Sequence, residues 1–371
     1  MKPYHPDTPF TLQLLQTKGI GIRHAHQLIQ TFGSAQQIFD QHDTTLLQLG
    51  RFGKTLLQAK YDTALRIHIE EQLKWAVDHQ IQIIHFNDEA YPARLRHCDD
   101  APLVLFYRGT DILNRPYFLA VVGTRRSTHY GRQLADNLMK QLSTLNEKLV
   151  IVSGLAYGTD INAHSFALAY DIPTIGILAH GLDRIYPDAH RPIAAKMLQN
   201  GGLMTEYAHL TNQDKGNFLA HNRIIAGMCD ATILVESSDK GGAIVTSNIA
   251  YTYNRDVFAF PGRIGDIRSE GCNRLIRDQR ATLLTCADDL LKALNWQRPT
   301  SVLDGQKKIP FTGDDLSRTT VEQLLAHHGE LSLNELVSLT GWDIAKLNAQ
   351  LLDLEMDELI YSVPGSRYRL A

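Results

Sequence analysis

Short apolar runs of strand length alternate with amphipathic stretches from Tyr117 onward. The runs are YFLAVV, KLVIVS, IPTIGIL, GLMTE, ATILVE, DVFAFP and ATLLT, and helical patterns lie between them at 131–145, 160–170, 190–199, 244–253 and 287–294. Two further runs, IQIIHF and PLVLFY, precede them within 78–107. Near-continuous apolar strands separated by helices are typical of a mostly parallel sheet covered on both faces. The pattern predicts a doubly wound α/β domain over residues 81–296, which binds ligands at the carboxyl ends of its strands.

The first 80 residues have a different pattern. Apolar residues recur at helical spacing in TLQLLQT, AHQLIQTF and LRIHIEEQLKWAV, so residues 1–80 are predicted to form a small helical domain. Lys18-Gly19-Ile20-Gly21 separates the first two helices. A Gly-hydrophobic-Gly turn of this kind resembles a SAM or helix-hairpin-helix-like unit, whose backbone N–H groups can bind phosphate. The alternative is an ordinary tight turn in which glycine supplies a positive φ.

The C-terminal part consists of a predicted linker and a third domain. Residues 297–317 are polar and contain two Pro and two Gly, which is typical of a linker. Helical patterns follow near 320–328, 332–340 and 343–356, and LIYSVPGSRYRL predicts two strands around Pro364-Gly365. Three helices and a hairpin predict a winged helix over residues 318–371. Its predicted recognition helix carries Lys346 against five acidic residues, which favours a protein-interaction or dimer role over insertion into a DNA groove.

Composition and charge narrow the class of protein. The formal net charge of −3 does not indicate a uniformly basic nucleic-acid binder, but residues 108–300 carry 21 basic and 18 acidic side chains. Residues 301–371 carry 6 basic and 11 acidic side chains, so a polyanion should prefer the middle segment. The four cysteines are widely spaced, no apolar run reaches membrane length, and the first residues lack a signal-peptide pattern. We therefore expect a cytoplasmic protein without membrane attachment, disulfides or a zinc ribbon.

The turns that follow successive strands contain small residues and cations. Six segments share this character: 123–131, 153–160, 179–187, 239–246, 261–263 and 271–274. Glycine lets the backbone approach a ligand closely, and the helices that follow present free N–H groups to anions. Together with Arg125, Arg126, Lys240, Arg263 and Arg274, these turns predict an anion-binding rim at one edge of the sheet. Six ordinary structural turns are the alternative.

The segment from Phe218 to Gly227 lies outside this alternation. Arg223 is a candidate for forked contact with a phosphate, and an ion pair with Glu206 or Asp230 is the alternative. Phe218 is a candidate for stacking on a base, and core packing is equally compatible with the sequence. Asp160 and His164 share one helix face at a spacing that can hold a metal, but no third ligand is apparent, so a packed histidine is favoured and no metal is predicted.

Seven motifs in order resemble the DprA/Smf family, DNA-processing protein A. They are VVGTRRSTHYG, SGLAYGTDINAHSFAL, HGLDRIYP, NRIIAG, KGGAIVTS, PG and GCNRLI, and the match covers about 85–285. The resemblance implies an extended Rossmann fold that dimerises and binds single-stranded DNA cooperatively. It also implies help in loading RecA during natural transformation, without catalytic residues and without a metal or organic cofactor.

The predicted site residues come partly from the resemblance and partly from the turns and the segment 218–227 described above. The resemblance assigns Gly123, Thr124, Arg125, Ser153, Gly154, Gly158, Asn222, Arg223, Gly241, Gly242 and Thr246. The predicted nucleic-acid contacts are Gly123, Thr124, Arg125, Arg126, Ser153, Gly154, Gly158, Phe218, His221, Asn222, Arg223, Lys240, Gly241, Gly242, Thr246, Arg263, Asn273 and Arg274. Three departures from the family pattern stand out. Leu219 and His221 replace the Pro and first Arg of Phe-Pro-x-Arg-Asn-Arg, Gly241-Gly242-Ala243 replaces Ser-Gly-Ser, and Gln279-Arg280 replaces Gly-Ala. A largely neutral His221 makes one phosphate contact weaker or pH-dependent.

Two other functions fit parts of the sequence. Related Rossmann proteins of the LOG type are nucleotide phosphoribohydrolases that cleave glycosidic bonds with a glutamate after a Pro-Gly-Gly-x-Gly-Thr loop. Here the residues after KGGAIVT are SNIAYTYN, without a glutamate, so an enzyme is not favoured. A nucleotide-sensing regulator that places the winged helix on duplex DNA is the other possibility, and the acidic helix argues against it. The sequence therefore favours a single-strand binder that mediates recombination.

Overall fold

Two compact units make up the chain, Met1–Thr300 and Ser301–Ala371. The computed structural model describes residues 3–211, 214–296, 315–357, 359–363 and 367–370, without the side chains of 146–147, 215 and 315–319. Most of the predicted linker, 297–314, and the turn at 364–366 lie outside the described residues. Residues 315–317 of that linker belong to a helix. The predicted boundary near residue 80 lies inside the first unit, so a separate helical domain stays a prediction.

Six α-helices, with a 3-10 turn at Gly50–Phe52, form the described N-terminal part of the first unit. They are α1 (Thr8–Gln16), α2 (Ile22–Phe32), α3 (Ala35–Phe39), α4 (Asp43–Leu47), α5 (Gly53–Tyr61) and α6 (Thr63–Asp78). Their apolar faces enclose Leu14, Ile38, Leu46 and Leu56. Gly19 in the turn before α2 has φ of 86°, which is the conformation expected of a tight turn.

A nine-stranded sheet forms the centre of the unit. Its strands are β1 (Gln82–His85), β2 (Val104–Gly109), β3 (Tyr117–Val122), β4 (Leu149–Ser153), β5 (Thr174–Ile177), β6 (Gly201–Thr205), β7 (Ala231–Leu234), β8 (Asp256–Ala259) and β9 (Thr282–Leu283). Their order is β1-β2-β6-β5-β4-β3-β7-β8-β9. The strands from β6 to β9 in this order are parallel to one another. β2 pairs antiparallel with β6 and with β1. Each run predicted as a strand overlaps one of these strands.

Helices cover both faces of the sheet. They are α7 (Ala93–Arg96), α8 (His129–Leu142), α9 (Thr159–Ala169), α10 (Arg191–Met197), α11 (Lys215–Ala220), α12 (Asn222–Met228), α13 (Gly242–Thr252), α14 (Glu270–Arg277) and α15 (Ala287–Ala293). One core lies under α12 and α13, the other under α8, α9 and α15. The predicted doubly wound α/β fold is confirmed. One detail was wrong: Gly271 to Arg274 lie within α14 and do not form a sixth loop.

The strand order reverses between β3 and β7. The chain moves from β3 through β4 and β5 to β6 on one side, then returns to β7 and continues outward to β8 and β9. The connections at the carboxyl ends of β3 and β7 therefore leave in opposite directions and open a crevice between them. Open α/β sheets bind their ligands at such a switch point.

The second unit contains three helices and a three-stranded sheet among its described residues. These are α16 (Asp315–His328), β10 (Glu330–Ser332), α17 (Leu333–Thr340), α18 (Ile344–Met356), β11 (Ile360–Val363) and β12 (Arg367–Leu370), in sheet order β10-β12-β11. A capping box of Ser332 and Glu335 begins α17, Gly341 in the left-handed conformation ends it, and Asp343 caps α18. The predicted winged helix is confirmed, with β10 as an additional strand.

Candidate nucleic-acid interface

A cavity of about 850 Å³ lies at the switch point. Its wall is formed by the turns after β3, β4, β5 and β7 and by residues of α11 and α12. The floor is apolar, with buried Val122, Leu155, Ile177, Leu178 and Ile225. A volume of this size lies within the range of about 300–1,000 Å³ that is typical of ligand pockets.

The turns after β3 and β4 hold each other in place. The amide of Thr159 donates to the carbonyl of Thr124 over 3.1 Å, and the amide of Thr124 donates to the carbonyl of Glu236 over 2.8 Å. Gly158 has φ of 80°, and a Cβ there would overlap the carbonyl oxygen of Thr124. A Cβ on Gly123 would overlap the side chain of Thr159. These glycines are required for the close approach of two loops, which fixes the shape of the cavity wall.

Glu236, after β7, fixes the beginning of α8. Its carboxylate accepts hydrogen bonds from the amide of Thr128 over 2.9 Å and from the hydroxyl of Thr128 over 2.5 Å. A Cβ on Gly131 would overlap this carboxylate, so only glycine fits there. Since Glu236 is 1% exposed and fully engaged, its role here is to hold the loop that carries Arg125.

Arg125 and Phe218 lie together at the mouth of the cavity. The guanidinium carbon of Arg125 is 5.5 Å from the centre of the Phe218 ring, a cation–π distance. Tyr186 packs edge-on against Phe218 with ring centres 6.3 Å apart, and Tyr157 and Tyr186 are about half exposed. Among the described residues that line the cavity, Arg125 is the only arginine or lysine. Positive charge and aromatic surface therefore meet at one place on the rim.

Two helices begin at the cavity. α9 starts directly after Gly158, and α13 starts directly after Gly241. Their first-turn amides have no partner within the helix and attract anions. A Cβ built on Gly242 would meet no atom within 4 Å, so the space in front of the start of α13 is open.

Asp160 and His221 are two ionisable groups that line the cavity. Burial raises the pKa of the Asp160 carboxyl from 3.8 to about 7, although the amide of Ala156, the hydroxyl of Ser153 and Arg125 favour its charged form. Burial lowers the pKa of His221 to about 4. The imidazole is therefore neutral at pH 7, as the sequence predicts, and burial favours the protonated form of the carboxyl.

Half of the predicted contact residues line the cavity. Those that line the cavity are Gly123, Thr124, Arg125, Phe218, His221, Asn222, Gly241, Gly242 and Thr246. Arg126, Lys240 and Arg263 are exposed on the adjoining turns but do not line it. Ser153 is buried and donates its hydroxyl hydrogen bond to the carbonyl of Val121 over 2.6 Å. Gly154 and Gly158 are not among the lining residues.

Three predicted contacts are engaged elsewhere. The Arg223 guanidinium lies 2.5 Å from the Glu206 carboxylate, and its side chain is 12% exposed. Of the two interpretations of Arg223, the ion pair is the one observed. Arg274 pairs with Asp239 at 2.9 Å. The Asn273 side chain bonds both backbone groups of Gly262, at 3.0 Å each.

The possible metal site at Asp160 and His164 does not form. His164 is fully buried, and its two ring nitrogens contact the Gly154 carbonyl and the Thr174 hydroxyl, each at 2.6 Å. The packed-histidine alternative is thus the one observed. No group of three or more His, Cys, Asp or Glu side chains arranged to hold a metal occurs in the described part of the chain.

Several lining residues were not predicted as contacts. They are Tyr157, Asp160, His180, Tyr186, Asp214, Ser237 and Ser238. Tyr157 and Tyr186 stand in the glycine-containing turns that the sequence singles out, so their exposure on the rim could have been anticipated. The position of Asp214 could not, because the turn before α11 lies outside the strand–helix alternation.

Comparison with known proteins agrees with this architecture. The family model described as DNA recombination-mediator protein A matches residues 82–295, and a model of the DprA winged helix domain matches residues 312–366. The chain belongs to the DprA family. Protein Smf of Escherichia coli K12 is 33% identical over 334 residues, covering 88% of this chain and 87% of Smf. DNA processing protein DprA of Streptococcus pneumoniae is 40% identical over 205 residues, covering 55% of this chain and 71% of that protein.

Solved structures of related proteins resemble the chain. DprA from Streptococcus pneumoniae superposes with a TM-score of 0.66 at 30% identity, covering 76% of this chain and 97% of that one. DNA processing protein A from Helicobacter pylori, whose structure describes a single-stranded DNA binding mode, has a TM-score of 0.51 at 31% identity. The match covers 55% of this chain and 92% of the Helicobacter pylori chain. In the part of the chain that the structure describes, no helix has the length and apolar character needed to cross a bilayer.

Proposed function

We propose that this protein binds single-stranded DNA along the rim of the cavity. The observation that carries the proposal is the placement of Arg125 over Phe218 at the cavity mouth, between the beginnings of α9 and α13. A guanidinium and free helix amides attract the phosphates of a strand, and exposed aromatic rings stack on its bases. The single-stranded DNA binding described for the related protein of Helicobacter pylori supports this assignment.

Single strands suit this site better than duplex DNA. Bases must be unstacked to reach Phe218, Tyr157 and Tyr186, and in a duplex the faces of the bases are not available. A gel-shift comparison of one oligonucleotide with its duplex tests this preference. We expect the single strand to bind more tightly, and equal or tighter binding of the duplex would contradict the proposal.

We further propose that the bound strand is passed to RecA recombinase during natural transformation. Membership of a family of recombination mediators supports this role. The test measures RecA filament assembly on a single strand coated beforehand with a single-strand binding protein. This protein should accelerate assembly and Arg125→Ala should do so less, whereas no acceleration by the unaltered protein would contradict the role.

We propose in addition that the protein works as a cytoplasmic homodimer. Light scattering should then give twice the 41.7 kDa mass of one chain.

We also propose a non-enzymatic role. A hydrolase of the LOG type would need a carboxylate after the loop that precedes α13, but residues 247–254 carry none. The carboxylate of Glu236 already accepts hydrogen bonds from Thr128. Release of free base from nucleoside monophosphates would contradict this.

A further inference from the structure

Helix α18 of the second unit carries apolar residues on two opposite faces. Leu347, Leu351 and Leu354 are buried in the core of the unit. A second apolar set follows the spacing of one helix face and lies on nearly the opposite side of the helix. This set, the outer stripe, consists of the exposed residues Ala345, Ala349, Leu352 and Met356. Leu352 is 58% exposed and Met356 is 75% exposed, so the outer stripe does not serve the core of the unit.

The surroundings of the outer stripe favour a protein as its partner. In a helix-turn-helix, the second helix, here α18, is the one that enters a DNA groove. The exposed face of α18 is apolar, and the exposed carboxylates of Asp353, Glu355 and Asp357 lie beside it. Carboxylates repel the phosphates of DNA, whereas apolar surface bordered by charges is typical of a contact with protein.

The two edges of the outer stripe differ in charge. One edge carries Lys346 near the beginning of α18, and Asp353 and Asp357 near its end. The other edge carries Asn348 and Glu355. An edge with a cation at one end and carboxylates at the other is complementary to the same edge running in the opposite direction. Self-complementarity of this kind is what a two-fold symmetric contact requires.

The outer stripe also complements a reversed copy of itself in size. An antiparallel pair of α18 helices, centred between residues 350 and 351, places Ala345 opposite Met356 and Ala349 opposite Leu352. A small side chain therefore faces a large one throughout the contact. Alternation of small and large side chains lets two helices approach closely and leaves no void between them.

The charges select the antiparallel direction over the parallel one. In an antiparallel pair the same edges adjoin, so Lys346 of one copy lies at the level of Asp353 and Asp357 of the second copy. In a parallel pair the different edges would adjoin, and Asp353 would face Glu355 with no cation between them. The dipoles of the two helices also favour opposite directions.

We infer that the outer stripe is a self-association surface, through which α18 of one copy pairs antiparallel with α18 of a second copy. The inference goes beyond the proposed homodimer, because this contact lies entirely in the second unit and adds to any contact between the first units. It does not depend on DNA binding. One helix pair is small beside a standard interface of about 1,600 Å², so we expect an association that depends on protein concentration.

The first test traps the pair with a disulfide in the full chain. Ala345→Cys and Met356→Cys are prepared separately in a Cys286→Ser background, because Cys286 is the one cysteine that is not buried. The variants carry different tags and are mixed under mild oxidation. The mixture should give about tenfold more cross-linked product than either variant alone, because the pair brings these two positions together and keeps identical positions roughly 16 Å apart.

A matched control and the alternative outcomes make this test decisive. Gln323→Cys, at an exposed position of α16, takes the place of Met356→Cys in the control and should give only background cross-linking. Cross-linking of each variant with itself but not across the mixture would mean a parallel pair and would overturn the inference. Cross-linking in no combination would overturn the contact altogether, while the homodimer would stand if light scattering still gave the mass of two chains.

A second test needs no cysteine. Leu352→Glu should weaken the concentration-dependent association by at least about tenfold in sedimentation equilibrium, because symmetry places the carboxylate in the contact twice. Gln323→Glu adds the same charge on α16 and should leave the association unchanged. An association that Leu352→Glu does not weaken would overturn the inference.

A charge exchange tests the direction of the pair independently. Lys346→Glu should weaken self-association, because a carboxylate then lies near Asp353 and Asp357 of the second copy. An equal mixture of Lys346→Glu and Asp353→Lys should associate more tightly than either variant alone, because unlike charges meet again. A mixture that associates no better than its components would overturn the antiparallel arrangement.

Discussion

The guanidinium of Arg125 lies over the ring of Phe218 at the mouth of a cavity in which it is the only lining arginine or lysine among the described residues. We predict that Arg125→Ala weakens binding of an oligonucleotide, because one phosphate contact is lost. The slope of log K against log salt should shrink by about 0.7, the contribution of one neutralised phosphate on a single strand. Arg66→Ala, which removes an exposed arginine of α6 outside the cavity, is the matched control and should leave the slope unchanged. An unchanged slope for Arg125→Ala would remove Arg125 from the phosphate contacts.

Arg223 is predicted to stabilise the fold instead of binding DNA directly. The side chain of its partner Glu206 is only 16% exposed, and the loss of the guanidinium would leave an uncompensated carboxylate. Removal of one member of a buried pair typically costs about 3–5 kcal/mol. Arg223→Ala should therefore lower the free energy of unfolding by that order, measured with urea at neutral pH.

Arg274→Ala is the control for that measurement. Arg274 and Asp239 are 36% and 43% exposed, so their ion pair is screened by water and contributes at most about 1 kcal/mol. If Arg223→Ala proved as stable as Arg274→Ala while losing DNA affinity, Arg223 would belong to the DNA contacts after all.

Much of the sheet and of its ligand-binding edge could be predicted from the sequence. Strands such as β3 and β7 are continuous apolar runs because both of their faces are covered, and that pattern is local. The glycines at 123 and 158 also predict close backbone approach, because a residue without a side chain leaves room for a neighbouring loop. Parallel pairing then brings the ends of these strands to one edge.

The engagement of individual side chains could not be predicted in the same way. Arg223 lies in α12 and Glu206 follows β6, so their ion pair depends on how the chain folds. The sequence left phosphate binding and an ion pair as two possible roles of Arg223. The altered pKa of Asp160 arises from burial by several distant elements, none of which is adjacent in sequence. Arg274 is turned toward Asp239 by its position within α14, where a loop was expected.

Asp160→Asn is predicted to stabilise the protein in a pH-dependent way. The pKa of Asp160 rises from 3.8 to about 7 on folding because of burial, so between these values the unfolded chain has released a proton that the folded chain keeps. The wild-type protein therefore loses stability relative to the variant as the pH rises through this range, by at most roughly 1.4 kcal/mol per pH unit. The gap should be absent below pH 3.8 and constant above about pH 7. Urea unfolding of both proteins across this range measures it, and a gap that does not change with pH would contradict the assignment.

Gly158→Ala is predicted to destabilise the wall of the cavity. The residue has φ of 80°, and the added Cβ would overlap the carbonyl of Thr124, so backbone strain and a collision both act. Gly265→Ala is a suitable control, because Gly265 has φ of 86° but a Cβ there meets no atom within 4 Å. The control should cost only the strain of a left-handed residue, about 1–3 kcal/mol, and Gly158→Ala should cost clearly more in thermal unfolding. Equal losses would mean that the two loops can move apart.

The arginines of the wing are predicted to contribute little to DNA binding. Arg367 pairs with Glu330 at 2.7 Å, and the guanidinium carbon of Arg369 lies 4.4 Å from the centre of the Tyr361 ring, so both cations already have partners within the unit. The adjoining helix α18 carries Lys346 together with Asp353 and Glu355, and its field repels a polyanion. The double variant Arg367→Ala/Arg369→Ala should therefore bind both duplex and single-stranded oligonucleotides like the unaltered chain, within about twofold, which corresponds to roughly 0.4 kcal/mol. A marked loss of duplex binding, with single-strand binding intact, would instead assign the winged helix a DNA-binding role of its own.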